Sequence, residues 1–243
     1  MDDKLSSFNQ KLKIAMGMNK IDQPKMTVNK LGEFLTTTSP KRQRSILETL
    51  KYPKEHKFAF TGYNEARKAI KDYVLNNFDE QVILDCISDF ENKDDNDKDN
   101  FTDSTIKALT IVLESNNLSD SGYTFLPYKG KNPKLNIHGV EVSVYPDFIV
   151  HSETSRADYI GAAKIHLSKL GHFGEEGGKY ISTMIYDFAD KHVNKNGRTL
   201  RSTNCLSYDV FTDSLVESPK SIVRRWQDIE AGCKNIVAIW DSI

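Results

Sequence analysis

The sequence predicts an α/β protein in which a helical N-terminal region, residues 1–100, precedes an α/β region, residues 101–243. Three observations lead there. Apolar residues recur at three-to-four spacing through most of the first hundred positions. The run from Glu91 to Asn100, ENKDDNDKDN, is polar, lacks an apolar anchor and reads as an exposed linker. Beyond it, segments of period two alternate with segments of helical period, and 38% hydrophobic residues suffice for a sizeable core.

The first region divides into short helices. Leu5, Phe8, Leu12 and Ala15 give an amphipathic helix over Asp2–Met18, and Thr27 to Leu35 gives a second. Ser39-Pro40 is a helix start, with serine as N-cap and proline at the first helical position. The segment that follows carries Lys41, Arg42, Arg44, Lys51, Lys54 and Lys57 against only Glu48 and Glu55. It is either a solvated helix face or a phosphate-contacting surface gathered at a helix N-terminus. Tyr63–Phe78 forms another helix through Ala66, Ile70, Tyr73 and Val74, and Val82–Phe90 a further one. The aspartates of the linker do not make a calcium loop, because the central glycine and closing glutamate are missing.

In the second region Asp103 or Ser104 caps a helix ending at Glu114. Gly122–Tyr128 and Lys134–Ile137 read as strands, and His138-Gly139 turns the latter into a strand segment running from Val140 to Val150. A second strand, Tyr159–Leu167, follows the polar connection HSETSRAD. GHFGEEGG reads as a turn before a helix over Lys179–His192, and Cys205–Phe211 pairs with Leu215–Glu217. Ser218-Pro219 opens the last helix, where Ile222, Trp226, Ile229, Cys233, Ile236 and Trp240 form one apolar stripe. Such a stripe covers the sheet or a second subunit, either another copy or a partner.

Several function classes fall away. No apolar run approaches the roughly 20 residues of a membrane span, and MDDKLSSFNQKLK carries no secretory h-region. Cys86, Cys205 and Cys233 lie far apart and read as reduced thiols of a cytoplasmic protein. A net charge of −1 leaves any nucleic-acid surface to local clustering. There is no phosphate-binding loop and no dinucleotide fingerprint.

The chemistry concentrates in VEVSVYPDFIVHSETSRADYIGAAKIHLSK, residues 140–169. Alternation puts Glu141, Tyr145 and Asp147 on one face of the first strand, and Ala162, Lys164 and His166 on one face of the second. If the strands are neighbours, Asp147 and Lys164 reach one site. A carboxylate for a metal beside a lysine for a phosphate or hydroxide is the minimum set for metal-assisted phosphodiester hydrolysis. The small residues Gly161, Ala162 and Ala163 leave room there for a substrate backbone or for close approach of another segment.

Pro146-Asp147, Lys164 seventeen residues on, and the order helix, hairpin, strand, strand, helix, strand, helix resemble the core of the PD-(D/E)xK nuclease superfamily over residues 103–243. The resemblance implies a restriction-endonuclease-like core, a mixed central sheet flanked by helices, and Mg²⁺-dependent cleavage of nucleic acid, DNA above all, in restriction, phage defence or mobile elements. It implies Asp147, Lys164 and Glu114 as catalytic residues and Asp147, Glu114 and Glu141 as metal ligands. Lys41, Arg42 and Arg44 would meet the nucleic-acid backbone. One departure matters: the acid that should stand two residues before Lys164 is Ala162. Another carboxylate then substitutes for it, either Glu141 or one of Glu175, Glu176 and Asp187 on or before the next helix, or the domain binds nucleic acid or a partner subunit without cutting.

Overall fold

The computed structural model describes residues 20–53, 61–93, 101–169 and 171–243. The helix expected over Asp2–Met18, Lys54 and Lys57 of the basic run, and residues 94–100 of the linker lie outside them.

Strand β1 (Lys25–Thr27) runs directly into helix α1 (Val28–Thr36), with Thr27 Oγ1 accepting the Lys30 N–H at 3.2 Å. Helix α2 (Pro40–Lys51) starts as the sequence indicates: Ser39 Oγ accepts the Arg42 N–H at 3.4 Å, and Pro40 fills a position that needs no donor. Helices α3 (Thr61–Leu75), α4 (Glu80–Glu91) and α5 (Thr102–Glu114) follow. Next come β2 (Thr124–Pro127), β3 (Leu135–Ile137), β4 (Val140–Ser143), β5 (Phe148–Thr154) and β6 (Ala157–His166). The chain continues through α6 (Gly174–His192), β7 (Thr199–Leu200), β8 (Leu206–Asp209), β9 (Ser214–Glu217) and α7 (Val223–Trp240).

These strands make two mixed sheets. The larger has the order β2-β5-β6-β8-β9, with β8 parallel to β6 and the other neighbours antiparallel; β7 lies beside the start of β6. The smaller has the order β1-β4-β3, with β1 parallel to β4. The molecule is therefore an α/β protein with helices on both faces of the larger sheet. Along β6, Ile160 and Ala162 enter one hydrophobic cluster with Leu31, Phe34, Ile181 and Phe188. Ala163 and Ile165 enter the opposite cluster with Ala66, Ile70, Leu109 and Val150. Both clusters draw residues from each side of the segment 91–100, so the helical region and the later region share one core.

The structure corrects several local expectations. The strand segment expected from Val140 to Val150 is two elements: β4 ends at Ser143, β5 begins at Phe148, and between them Tyr145 takes a left-handed φ of 46° that turns the chain from the smaller sheet into the larger. The connection HSETSRAD shrinks to Ser155-Arg156, because the strands on either side extend to Thr154 and Ala157. Helix α6 begins at Gly174 rather than Lys179. A side chain at Gly178 would place its Cβ 2.7 Å from Val216, so glycine there lets the first turns lie on β9. The last helix starts at Val223, beyond Ser218-Pro219.

The stripe of α7 is used inside the chain. Ile229, Cys233, Ile236 and Trp240 are buried, and the Trp240 indole N–H donates to the Asp22 carbonyl at 2.9 Å. That stripe is therefore not available to a second subunit, contrary to one of its two sequence readings. Burial also pushes the Cys205 and Cys233 thiols up to about 12, as expected of inert interior cysteines.

The small residues of β6 serve close approach. A Cβ on Gly161 would sit 2.2 Å from the Asn204 carbonyl oxygen, a backbone atom with no rotamer to relieve the clash. Gly161→Ala is expected to destabilise the fold by about 1–3 kcal/mol as β6 is forced away from residues 202–204. Thermal unfolding checks this: a melting temperature equal to wild type would contradict it.

Candidate active site

Asp147 and Lys164 meet at one end of the larger sheet. The β5–β6 register pairs Phe148 with Ala163, and one step further sets Asp147 opposite Lys164. The Asp147 N–H donates to the Ala163 carbonyl at 2.8 Å and continues that ladder. Directly opposed residues project to the same face. Lys164 Nζ lies 3.3 Å from Asp147 Oδ2 and donates to the Tyr145 carbonyl at 2.5 Å.

Two further cations come from α3. Arg67 Nη1 lies 3.1 Å from Asp147 Oδ2 and donates to the Ile165 carbonyl at 2.9 Å. Lys71 Nζ stands 4.0 Å from Oδ1. The Ile165 N–H completes the set at 2.8 Å from Oδ2. The two carboxylate oxygens therefore differ. Oδ2 is held by a backbone donor and two cations, whereas Oδ1 has an ionic neighbour only at the limit of contact. The Asp147 side chain is 5% exposed and that of Lys164 is 12% exposed. Loss of hydration pushes the Lys164 ammonium down from 10.5 to about 8; Asp147 opposes the shift, and Arg67 and Lys71 add to it.

Lys164, Tyr145, Arg67, His166, Asn29 and Glu33 line a cleft of about 460 Å³, with Asp147 behind it. A second hollow of about 390 Å³ contains Arg42 and Ser45 and meets the first at Lys30, Glu33 and Ser168. Glu33 is nearly buried, with Lys30 Nζ at 2.6 Å and Arg42 Nη2 at 3.5 Å. The Asn29 side-chain oxygen is buried and, among the described residues, has no hydrogen-bond partner. His166 is a hydrogen-bonded wall residue: its Nε2 donates to the Gly171 carbonyl at 2.8 Å, and burial lowers its pKa. Beside it on β8, the carboxylate of Asp209 is buried without a hydrogen bond, and its ionic neighbour is His172 Nδ1 at 3.7 Å.

The other residues singled out in the sequence fall elsewhere. Glu114 is exposed at the end of α5 and does not line the cleft; its neighbour Ser115 bonds to Asp213 in the β8–β9 turn. Glu141 belongs to the smaller sheet and pairs with Lys134 at 2.5 Å, so it shares no strand face with Asp147. Of the basic run, Arg42 borders the cleft and Lys41 is exposed. Arg44 donates to the Ser242 carbonyl at 2.8 Å and pairs with Glu48, while Lys51 turns inward to the Trp240 carbonyl at 2.6 Å.

Among the described residues, no group of three metal-capable side chains contains Asp147, Glu114 or Glu141. The one such group is His151, Glu153 and Asp158, whose ligand atoms lie within 4.8 Å of one another at the far end of the β5–β6 hairpin. The Arg198 Nε–H donates to His151 Nε2 at 3.0 Å, so a cation there would compete with a guanidinium.

Sequence reasoning missed Arg67, Lys71 and Glu33. Arg67 and Lys71 are four apart on α3, flanking the buried Ala66 and Ile70, a spacing that brings them to one face. Glu33 is an acid within the apolar stretch Leu31-Gly-Glu-Phe-Leu35, which was its one visible sign. Comparison with protein-family models, curated proteins and solved structures finds no significant match.

Proposed function

We propose that the chain is a cytoplasmic, metal-dependent nuclease with a restriction-endonuclease-like core, acting on DNA in restriction, phage defence or mobile elements. The observation that carries this reading is the 3.3 Å approach of Lys164 to Asp147 at the wall of a cleft that also presents Arg67 and Lys30, with Arg42 in the adjoining hollow. The topology supports it: β2, β5 and β6 form an antiparallel meander, and β8 returns through α6 parallel to β6. A mixed central sheet of this kind, flanked by helices, is compatible with the core that the resemblance implies.

The oxygen donors beside the cleft are of the type a hard divalent cation takes. Asp147 Oδ1 is the less engaged oxygen, Glu33 offers a carboxylate on the cleft that Lys164 and Arg67 line, and the Asn29 amide oxygen is without a partner among the described residues. These three would hold Mg²⁺, and Glu33 replaces the acid missing at Ala162. Glu114 and Glu141 drop out of the ligand set. When bound, the ion polarises the phosphoryl oxygen and makes a water more acidic. Lys164 accepts a proton from the attacking water, Arg67 fixes the Asp147 carboxylate, and Lys30 and Arg42 hold flanking phosphates.

Incubating the protein with duplex and single-stranded DNA, with and without Mg²⁺, is the direct test. Glu33→Gln is expected to raise the Mg²⁺ concentration needed for cleavage by at least about tenfold. Unchanged Mg²⁺ dependence would remove Glu33 from the site. One observation favours a second reading, nucleic-acid binding without cleavage: Asp147 Oδ2 is saturated by cations and Ala162 carries no carboxylate. Tight, Mg²⁺-independent binding with the polynucleotide left intact would establish that reading instead.

A further inference from the structure

Tyr145 stands out at the lip of the cleft. Its φ of 46° is left-handed, a conformation bulky side chains rarely adopt and one that concentrates at functional sites. It is 44% exposed, one of the few large apolar or aromatic side chains in that condition. Its carbonyl accepts the Lys164 ammonium at 2.5 Å, which ties the ring to the proposed catalytic lysine through a single residue. Pro146 follows with a fixed φ, and Asp147 comes next, so the backbone on the C-terminal side is restrained as well. Lys134, paired with Glu141, lies within electrostatic reach of the hydroxyl.

An aromatic ring held open to solvent beside a phosphodiester-cleaving centre offers a face for one base. We infer that Tyr145 is the stacking platform for the base next to the scissile phosphate, and that the cleft takes single-stranded nucleic acid. This rests on the nuclease reading above. In a duplex both faces of a base are already stacked, and a base must be extruded before it can reach a protein ring. In a single strand the faces are open, and stacking on aromatic side chains gives sequence-tolerant binding. The strained turn serves this role: an extended backbone at Tyr145 would continue β4 and carry the ring away from Lys164.

The test uses the full chain without Mg²⁺, so that binding is read apart from cleavage, and a single-stranded DNA oligonucleotide carrying 2-aminopurine. Wild type and Tyr145→Phe are expected to bind and to quench the fluorophore. Tyr145→Asn, which suits a left-handed φ and so keeps the fold, is expected to lose quenching and to bind about 5- to 100-fold more weakly. With Mg²⁺ restored, kcat/KM on the single strand should fall by a similar factor. Tyr145→Asn binding and quenching like wild type, or a preference for duplex that this substitution leaves unchanged, would overturn the inference while Mg²⁺-dependent cleavage kept the nuclease reading intact. Folded protein that neither binds nor cuts any polynucleotide would overturn both.

Discussion

Asp147→Asn is expected to abolish cleavage and, in the same protein, to lower the stability of the fold by about 3 kcal/mol. The double loss follows from what surrounds the carboxylate. Lys164, Arg67 and Lys71 converge on one nearly buried acid, with Arg67 and Lys71 about one-third exposed. An amide keeps the shape and can still accept from the Ile165 N–H, but it leaves three positive charges with no countercharge in contact. Breaking a buried pair by removing one partner costs about 3–5 kcal/mol, and the partial exposure of two of the cations places this case at the lower end. For a chain of this length that corresponds to a fall of roughly 6–12 °C in melting temperature. Loss of activity alone could be credited to unfolding, so the companion variant Asp147→Asn with Lys164→Met is informative. Removing the most deeply buried cation should restore part of the melting temperature and none of the cleavage. A single variant that melts with wild type and still cuts would refute both the electrostatic account of the site and its assignment.

Much of this was legible in the sequence, and the reasons differ by element. The helix start at Ser39-Pro40 is local chemistry, and the structure places that cap as read; the cap at Thr27, read only as part of a helix, is supplied by the structure. The alternation that puts Lys164 opposite the face of Ala163 and Ile165 is likewise local, because side-chain direction along a strand has a fixed period. What failed was non-local. The break at Tyr145 depends on a second sheet formed by β1, a three-residue strand with no pattern of its own, which pairs with β4 from over a hundred positions away. Glu141 was placed beside Asp147 only because that break was not foreseen. Arg67 and Glu33 reach the site because α3 and α1 pack on opposite faces of the sheet and overhang the same end. Helical spacing shows which residues share a face of α3, but not that Ile165 and Asp147, some eighty to a hundred positions later, are what that face meets.

Cleavage is expected to rise about tenfold per pH unit below pH 8 and to level off above it, because Lys164 must be neutral to take a proton from water. Its pKa, brought down to about 8 chiefly by lost hydration, sets the bend. Lys164→Arg keeps the charge and cannot deprotonate, so it should lose about 10²- to 10⁴-fold in rate and show no bend. A lysine that merely steadied charge would behave in the opposite way: activity would fall above pH 8, and arginine would retain much of it. The same depressed pKa has a consequence for stability. Between about 8 and 10.5 the unfolded chain binds a proton at this position that the folded chain does not. Stability therefore rises with pH through that window, and the destabilisation from burying the charge is fully present below it. Measured as a difference from Lys164→Met, which cancels the opposing contributions of Cys205 and Cys233, the gain should be on the order of 3 kcal/mol. Chemical denaturation of the two proteins near the ends of the window reads it. A difference that does not change with pH would mean that the lysine is hydrated in the folded state, and a hydrated lysine would have no reason to give up its proton at the pH where cleavage is expected to bend.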